Sequence, residues 1–200
     1  MGGGTEGNEQ LTSIVGAILL ILLAVIGVTI VRIGQLISVH LFVGLLLIGP
    51  VALKLASTGY RFARYYADDQ DYRRKGPPET PMRVIAPIVV LSTVIVFVSG
   101  VVLLFLGPSD RGQMVQIHKL SFIVWVAFTS LHVLGHLPAM SASLQAVRRA
   151  DPDLPGVEPG RAGRWIAIAS ALVAGLVLAI VLIPDFAAWT AHGSFSHHRV

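Results

Sequence analysis

Five long runs of apolar residues, almost free of charge, decide what this chain can become. They cover approximately 11–31, 33–58, 84–107, 118–138 and 165–187. A helix needs about 20 apolar residues to cross the hydrocarbon core of a bilayer. In that core only helices and closed barrels satisfy their own backbone. Barrel strands are short and alternate, so runs of this length exclude the barrel. Composition agrees: 13% of the residues are charged, against about 25% in a soluble domain. The expected fold is an all-α integral membrane protein, a single membrane domain over 1–200. It has five transmembrane helices, four of them (the second to the fifth) in a bundle and the first packed outside.

The first run is read as a retained helix and not as a secretory signal. Its leader, MGGGTEGNEQ, has no basic residue and carries Glu6 and Glu9, whereas signals begin with positive charge. Cytoplasmic loops of membrane proteins are rich in Lys and Arg. Arg61, Arg64, Arg73, Arg74, Lys75 and Arg83 follow the second run, and Arg148, Arg149, Arg161 and Arg164 follow the fourth. The other side has only Arg32, Arg111, Lys119 and Arg199. This bias predicts a multi-pass protein of the plasma membrane with a cytoplasmic N-terminus and an external C-terminus. The net charge of +4 then reports topology and gives no reason to expect nucleic acid. The segments 68–81 and 148–164 are rich in charge, Pro and Gly, as loops are. Pro50 and Pro87 sit inside apolar runs, where kinks are expected. No repeat is evident.

Polar groups inside a membrane are expensive and mark functional candidates. On the fourth run His118 and His132 are 14 residues apart. That is about 21 Å of rise and a rotation roughly 40° short of four turns, so both share one face. Phe122, Trp125 and Thr129 lie between them. The second run repeats the spacing with His40 and Lys54, its stripe passing through Gly44, Leu47 and Val51. The two helices run parallel, so His40 falls level with His118 and Lys54 with His132.

Two imidazoles facing each other can take both axial positions of a haem iron, and axial ligands set its potential. Gly44, one turn from His40, leaves room for a macrocycle against the backbone. The chain has no cysteine, so covalent C-x-x-C-H attachment is excluded.

On these residues, best over 33–138, the chain resembles the membrane di-haem cytochromes b, including bacterial b-561 and hydrogenase-type cytochromes. Stretches such as GPVALKLASTGYRFARYY and HKLSFIVWVAFTSLHVLGH also resemble a group of poorly characterised actinobacterial membrane proteins. The resemblance implies a four-helix bundle with non-covalent haem b, one site or two. His40 and His118 match the outer ligand pair, and His132 matches one inner ligand. Lys54 stands where the pattern has histidine. Three readings of that position remain open: a neutral-amine ligand, no inner haem, or His132 ligating alone or with another partner. The implied function is transmembrane electron transfer, with a quinone or a redox partner subunit exchanging the electrons.

Plainer readings stand beside these. His40 can be an interior histidine bonded to a neighbouring helix, and His118 an interfacial one. Lys54 can snorkel to the cytoplasmic headgroups. Phe122 and Trp125 can simply pack, and Gly44 can let helices approach. His136, one turn beyond His132, suits a propionate contact or a weak two-histidine metal site. Tyr60, Arg61 and Arg64, or Arg32, Arg111 and Lys119, can serve propionates or only flank the membrane. His192, His197 and His198 read as a flexible tail. The competing functions are a non-redox scaffold or regulatory subunit, and a divalent-metal protein built on His132 and His136. No acidic residue lies in the first four runs, which disfavours a carboxylate cation path. No nucleophile, nucleotide-loop or flavin motif is present.

Overall fold

A computed structural model describes residues 4–67, 69–74, 80–106, 110–149 and 160–190. These form helices α1 (Gly4–Val31), α2 (Ile33–Tyr66), α3 (Gln70–Arg74), α4 (Thr80–Phe105), α5 (Arg111–Arg149), α6 (Arg161–Val181) and α7 (Ala187–Thr190), with a 3-10 turn over Ile183–Phe186. Five are long and apolar enough to cross a membrane: Gly7–Val31, Ile33–Tyr66, Pro81–Phe105, Arg111–Leu137 and Arg161–Val181. The protein is therefore all-α, and lipid explains its surface. Leu91 (63%), Leu120 (64%) and Ile166 (65%) are largely exposed, an arrangement water would oppose and hydrocarbon accepts.

Several helices outrun their apolar stretches. The second continues to Tyr66 and the fourth begins at Arg111, because residues that lipid rejects still propagate a helix in water. The last span stops earlier than its apolar run: Pro184 opens the 3-10 turn after Leu182.

A single residue, Arg32, joins α1 to α2. The backbone departs from helical geometry there (φ −121°, ψ 39°) and at Leu36 (φ −114°, ψ 22°). The recorded departure inside α2 is thus the tight reversal, while Pro50 is carried within the helix and buried.

Close packing follows three pairs: α4 with α5, α2 with α6, and α1 with α2. The α2/α6 crossing brings backbone against backbone. A Cβ on Gly49 would strike the Ala171 carbonyl, and one on Gly175 would strike the Leu46 carbonyl. Small residues allow such an approach where lipid supplies no hydrophobic drive. On one side of α2, Leu45 packs with Leu104, Ala179 and Phe186. On another, Val43 and Leu47 pack with Ile26 of α1. The first helix also touches α5 and α6, so it lies further in than an outlying helix. By contrast, α2 and α5 make no extended contact among the described residues.

Candidate functional site

The inward face of α5 is the one the spacing predicts. His118, Ser121, Phe122, Trp125, Thr129 and His132 are half-buried, whereas Leu120, Ile123 and Val124 are exposed. His40 and Lys54 are half-buried on α2. Their hydrogen bonds run to other helices, His40 and Lys54 to α1 and His118 to α4.

The first level is set by hydrogen bonds that no single helix pattern reveals. Thr29 of α1 donates its hydroxyl to the Ile26 carbonyl at 2.7 Å. Its oxygen is then an acceptor for His40 Nδ1–H at 2.9 Å. His118 Nδ1 lies 3.1 Å from the Val96 carbonyl, which only accepts, so Nδ1 carries the proton. Ser99 Oγ, 3.0 Å away, shares that N–H and donates to Val96 itself at 3.0 Å. His118 is thereby held as the Nδ1–H tautomer with the lone pair on Nε2, and His40 is anchored at Nδ1 by the Thr29 hydroxyl. Metal-binding histidines are oriented in this way, one nitrogen donating to a fixed oxygen and the other free to ligate.

Two glycines shape the surroundings. A Cβ added to Gly44 would meet nothing within 4 Å, so space is open one turn from His40. A Cβ on Gly100 would lie 3.2 Å from His118 Cε1, so the His118 ring rests against the α4 backbone there. Trp125 donates its indole N–H to Thr93 at 2.8 Å and stacks on Phe122 with centroids 5.9 Å apart. These two aromatics join α5 to α4. The residues of the first level are compatible with haem ligation: two imidazoles on separate helices, each anchored at Nδ1, and open backbone beside one of them.

The second level is built differently. Lys54 Nζ donates to the Thr12 carbonyl of α1 at 2.7 Å and so is turned toward helix one. Ser57 joins the same seam, bonding to the Lys54 carbonyl at 3.0 Å and meeting Thr12 Oγ1 at 3.2 Å. His132 Nδ1 and Thr129 Oγ1 are buried with no partner. The acceptor that fixes each first-level imidazole has no counterpart at His132. The exposed His136 ring lies against His132, centroids 4.6 Å apart. No three His, Asp or Glu side chains converge among the described residues.

The cationic flanks lie elsewhere. Tyr60, Arg61 and Arg64 are exposed, and Arg64 pairs with Asp69. Arg111 stacks over Trp189 at 4.1 Å and donates to the Ala188 carbonyl at 3.2 Å, closing the end of the bundle. Arg32 and Lys119 are exposed. Lys75 and the tail histidines lie outside the described residues.

No family model, curated protein or solved structure matches the chain. Function is therefore argued from the site.

Thr29 and Ser99 are the residues that sequence reasoning missed. Nothing marked them out in sequence, since the same runs carry other hydroxyls, Thr12 and Ser13 in the first and Ser92 and Thr93 in the third. If they position ligands, Thr29→Val and Ser99→Ala each weaken haem retention by about tenfold and shift the midpoint potential, without loss of helicity. Titration of the purified variants with haem, followed by redox titration, checks this. Unchanged affinity and potential in both would make them packing residues only.

Proposed function

We infer that this protein is a b-type cytochrome that moves electrons within the membrane, with one haem between α2 and α5. One observation carries the reading. His40 and His118, on separate helices, each have Nδ1 tied to a fixed oxygen, which leaves Nε2 as the nitrogen able to ligate. His40 and His118 hold the iron. Thr29, Ser99 and the Val96 carbonyl fix the rings and raise their donor strength. Bound there, haem supplies a reversible one-electron couple. The chain carries no flavin or nucleotide motif, so its donor and acceptor are separate molecules, a membrane quinol or a redox subunit. The charge bias supports a cytoplasmic N-terminus, with the His40/His118 level near the external face of the plasma membrane.

The deciding experiment is a reduced-minus-oxidised spectrum of protein expressed with haem supply. A b-type spectrum at one haem per chain is expected. A spectroscopically silent protein would leave the non-redox subunit as the reading, with His40 and His118 serving as structural hydrogen-bond donors.

Gly44 gives a second check. Its Cβ position is open, so the first side-chain carbon of Gly44→Leu meets no neighbour in the apoprotein. It should leave the unfolding temperature of the apoprotein within about 2 °C, since surface-like changes cost little, yet lower haem content several-fold. Equal haem content in variant and wild type would show that the space beside Gly44 is not where the macrocycle lies.

A further inference from the structure

Hydrogen bonds sort the long helices into two sets. His40 is tied to Thr29 and Lys54 to Thr12, so the polar side chains of α2 hold α1. His118 is tied to Ser99 and the Val96 carbonyl, and Trp125 to Thr93, so the polar face of α5 holds α4. The Gly49/Gly175 crossing adds α6 to the first set. His40 therefore belongs with α1, α2 and α6, and His118 with α4 and α5. The bonds that orient each imidazole do not fix one set against the other. Apolar side chains do meet across the boundary: Leu45 clusters with Leu104, and Phe97 packs against Ile26, Val43 and Leu47. Packing of that kind permits small sliding of one helix past another.

The chain after α6 adds contacts with direction. Past Leu182 it turns through Ile183–Phe186 into α7, and it stays covalently part of the first set. Phe186 is buried with Leu45, Ala179 and Leu104. Trp189 packs on the same cluster and donates its indole N–H to the Leu103 carbonyl at 3.1 Å. Leu103 lies in the last turn of α4, where carbonyls run out of helical N–H partners. Arg111, in the first turn of α5, sets its guanidinium 4.1 Å from the centre of the Trp189 ring and donates to the Ala188 carbonyl at 3.2 Å. One indole is thus bonded to α4, stacked under a cation from α5 and packed on a residue of α2. A tryptophan that only marks the membrane surface sits at the headgroup level with its polar edge toward water. The Trp189 N–H is turned to backbone instead, and its ring is half-buried. Arg111 precedes His118 by seven residues on the same helix, about two turns, so a shift of the clamp carries directly to His118.

We propose that the segment Ile183–Thr190 is a strap that fixes the spacing of the two helix sets, with Trp189 and Arg111 as its positioning residues. Its consequence for haem, through the separation of His40 and His118, rests on the cytochrome reading. Its geometry does not.

The chain has no cysteine, so spin labels can be placed on introduced cysteines in the full-length protein in detergent. Val39→Cys with Ile117→Cys spans the two sets, each label one residue before a histidine. Val84→Cys with Leu120→Cys stays within α4 and α5. All four side chains are exposed. On haem-free protein, double electron–electron resonance should show Trp189→Phe and Arg111→Gln shifting the first distance by about 2 Å and leaving the second unchanged. Arg111→Lys, which returns a cation to the ring, should restore the wild-type distance. Trp165→Leu, at an exposed tryptophan on the opposite end of α6, should change neither pair. If Trp189→Phe does not fold, Arg111→Gln and its Arg111→Lys rescue decide. A first distance unmoved in the variants overturns the proposal, and so does an equal change in both pairs, which would mean general loosening. In haem-loaded protein the same two variants should release haem several-fold faster and shift the midpoint potential. Altered distances with unaltered haem release and potential would overturn the positioning role. A wild-type protein that takes up no haem sinks the cytochrome reading and leaves the distances to judge the strap, so the two failures are distinct.

Discussion

His118→Ala should abolish the b-type reduced-minus-oxidised absorbance of the haem-supplied protein while the chain stays folded. His118 contributes one of the two nitrogens at the first level, and nothing nearby replaces it. Ser99 keeps its own bond to the Val96 carbonyl at 3.0 Å, so the loss strands little on α4. The structural cost is about 1 kcal/mol, that of one hydrogen bond. Haem retention should fall by well over the tenfold typical of losing an outer partner. His40→Ala should match it, leaving Thr29 bonded to the Ile26 carbonyl at 2.7 Å. His136→Ala is the control: an exposed ring lying against His132 should keep the full absorbance. Circular dichroism on the same samples separates lost ligation from lost fold. Full absorbance in both first-level variants would remove His40 and His118 as ligands, whatever the wild-type spectrum shows.

The contrast between ligands and their partners shows what a membrane sequence exposes. The spans were legible because hydrocarbon imposes run length on every helix separately. The His118–His132 face was legible because periodicity belongs to one helix, and the half-buried stripe through Phe122, Trp125 and Thr129 follows it. Which helix faces which is not written in either pattern. Thr29 lies in an apolar run where one hydroxyl weighs almost nothing, yet α1 turns it onto His40. The partner of His118 is a backbone carbonyl, Val96, and a carbonyl has no sequence signature at all. Lys54 shows the same limit in reverse. Its position suggested snorkelling to the headgroups, but its long chain bends to the Thr12 carbonyl because α1 passes close beside α2. The ends of α2 and α5 were missed for a simpler reason: polar residues at Tyr60–Tyr66 and Arg111–Ile117 leave lipid without leaving the helix.

The largest effect on stability should come from two glycines that hold no polar role. Gly49→Ala and Gly175→Ala each place a methyl group on a facing backbone carbonyl, Ala171 in one case and Leu46 in the other. Backbone cannot rotate aside as a side chain does, so α2 and α6 must separate. That separation loosens Leu45 from Ala179 and Phe186, the cluster packed between α2, α4 and α6. Overpacking typically costs about 1–3 kcal/mol, and lost dispersion along the crossing adds to it. A fall of about 10 °C in unfolding temperature is expected for each variant in detergent. Gly27→Ala and Gly59→Ala are the matched controls, since a Cβ at either meets nothing within 4 Å. Alanine is the better helix former by about 1 kcal/mol, so these two should hold or slightly raise the unfolding temperature. The sign of the effect thus depends on position alone, with the same substitution throughout. Four equal shifts would mean that the α2/α6 crossing is not the close backbone contact described. Four-residue spacing of Ala171, Gly175 and Ala179 explains why α6 can come this near: each turn offers α2 a side chain no larger than a methyl group.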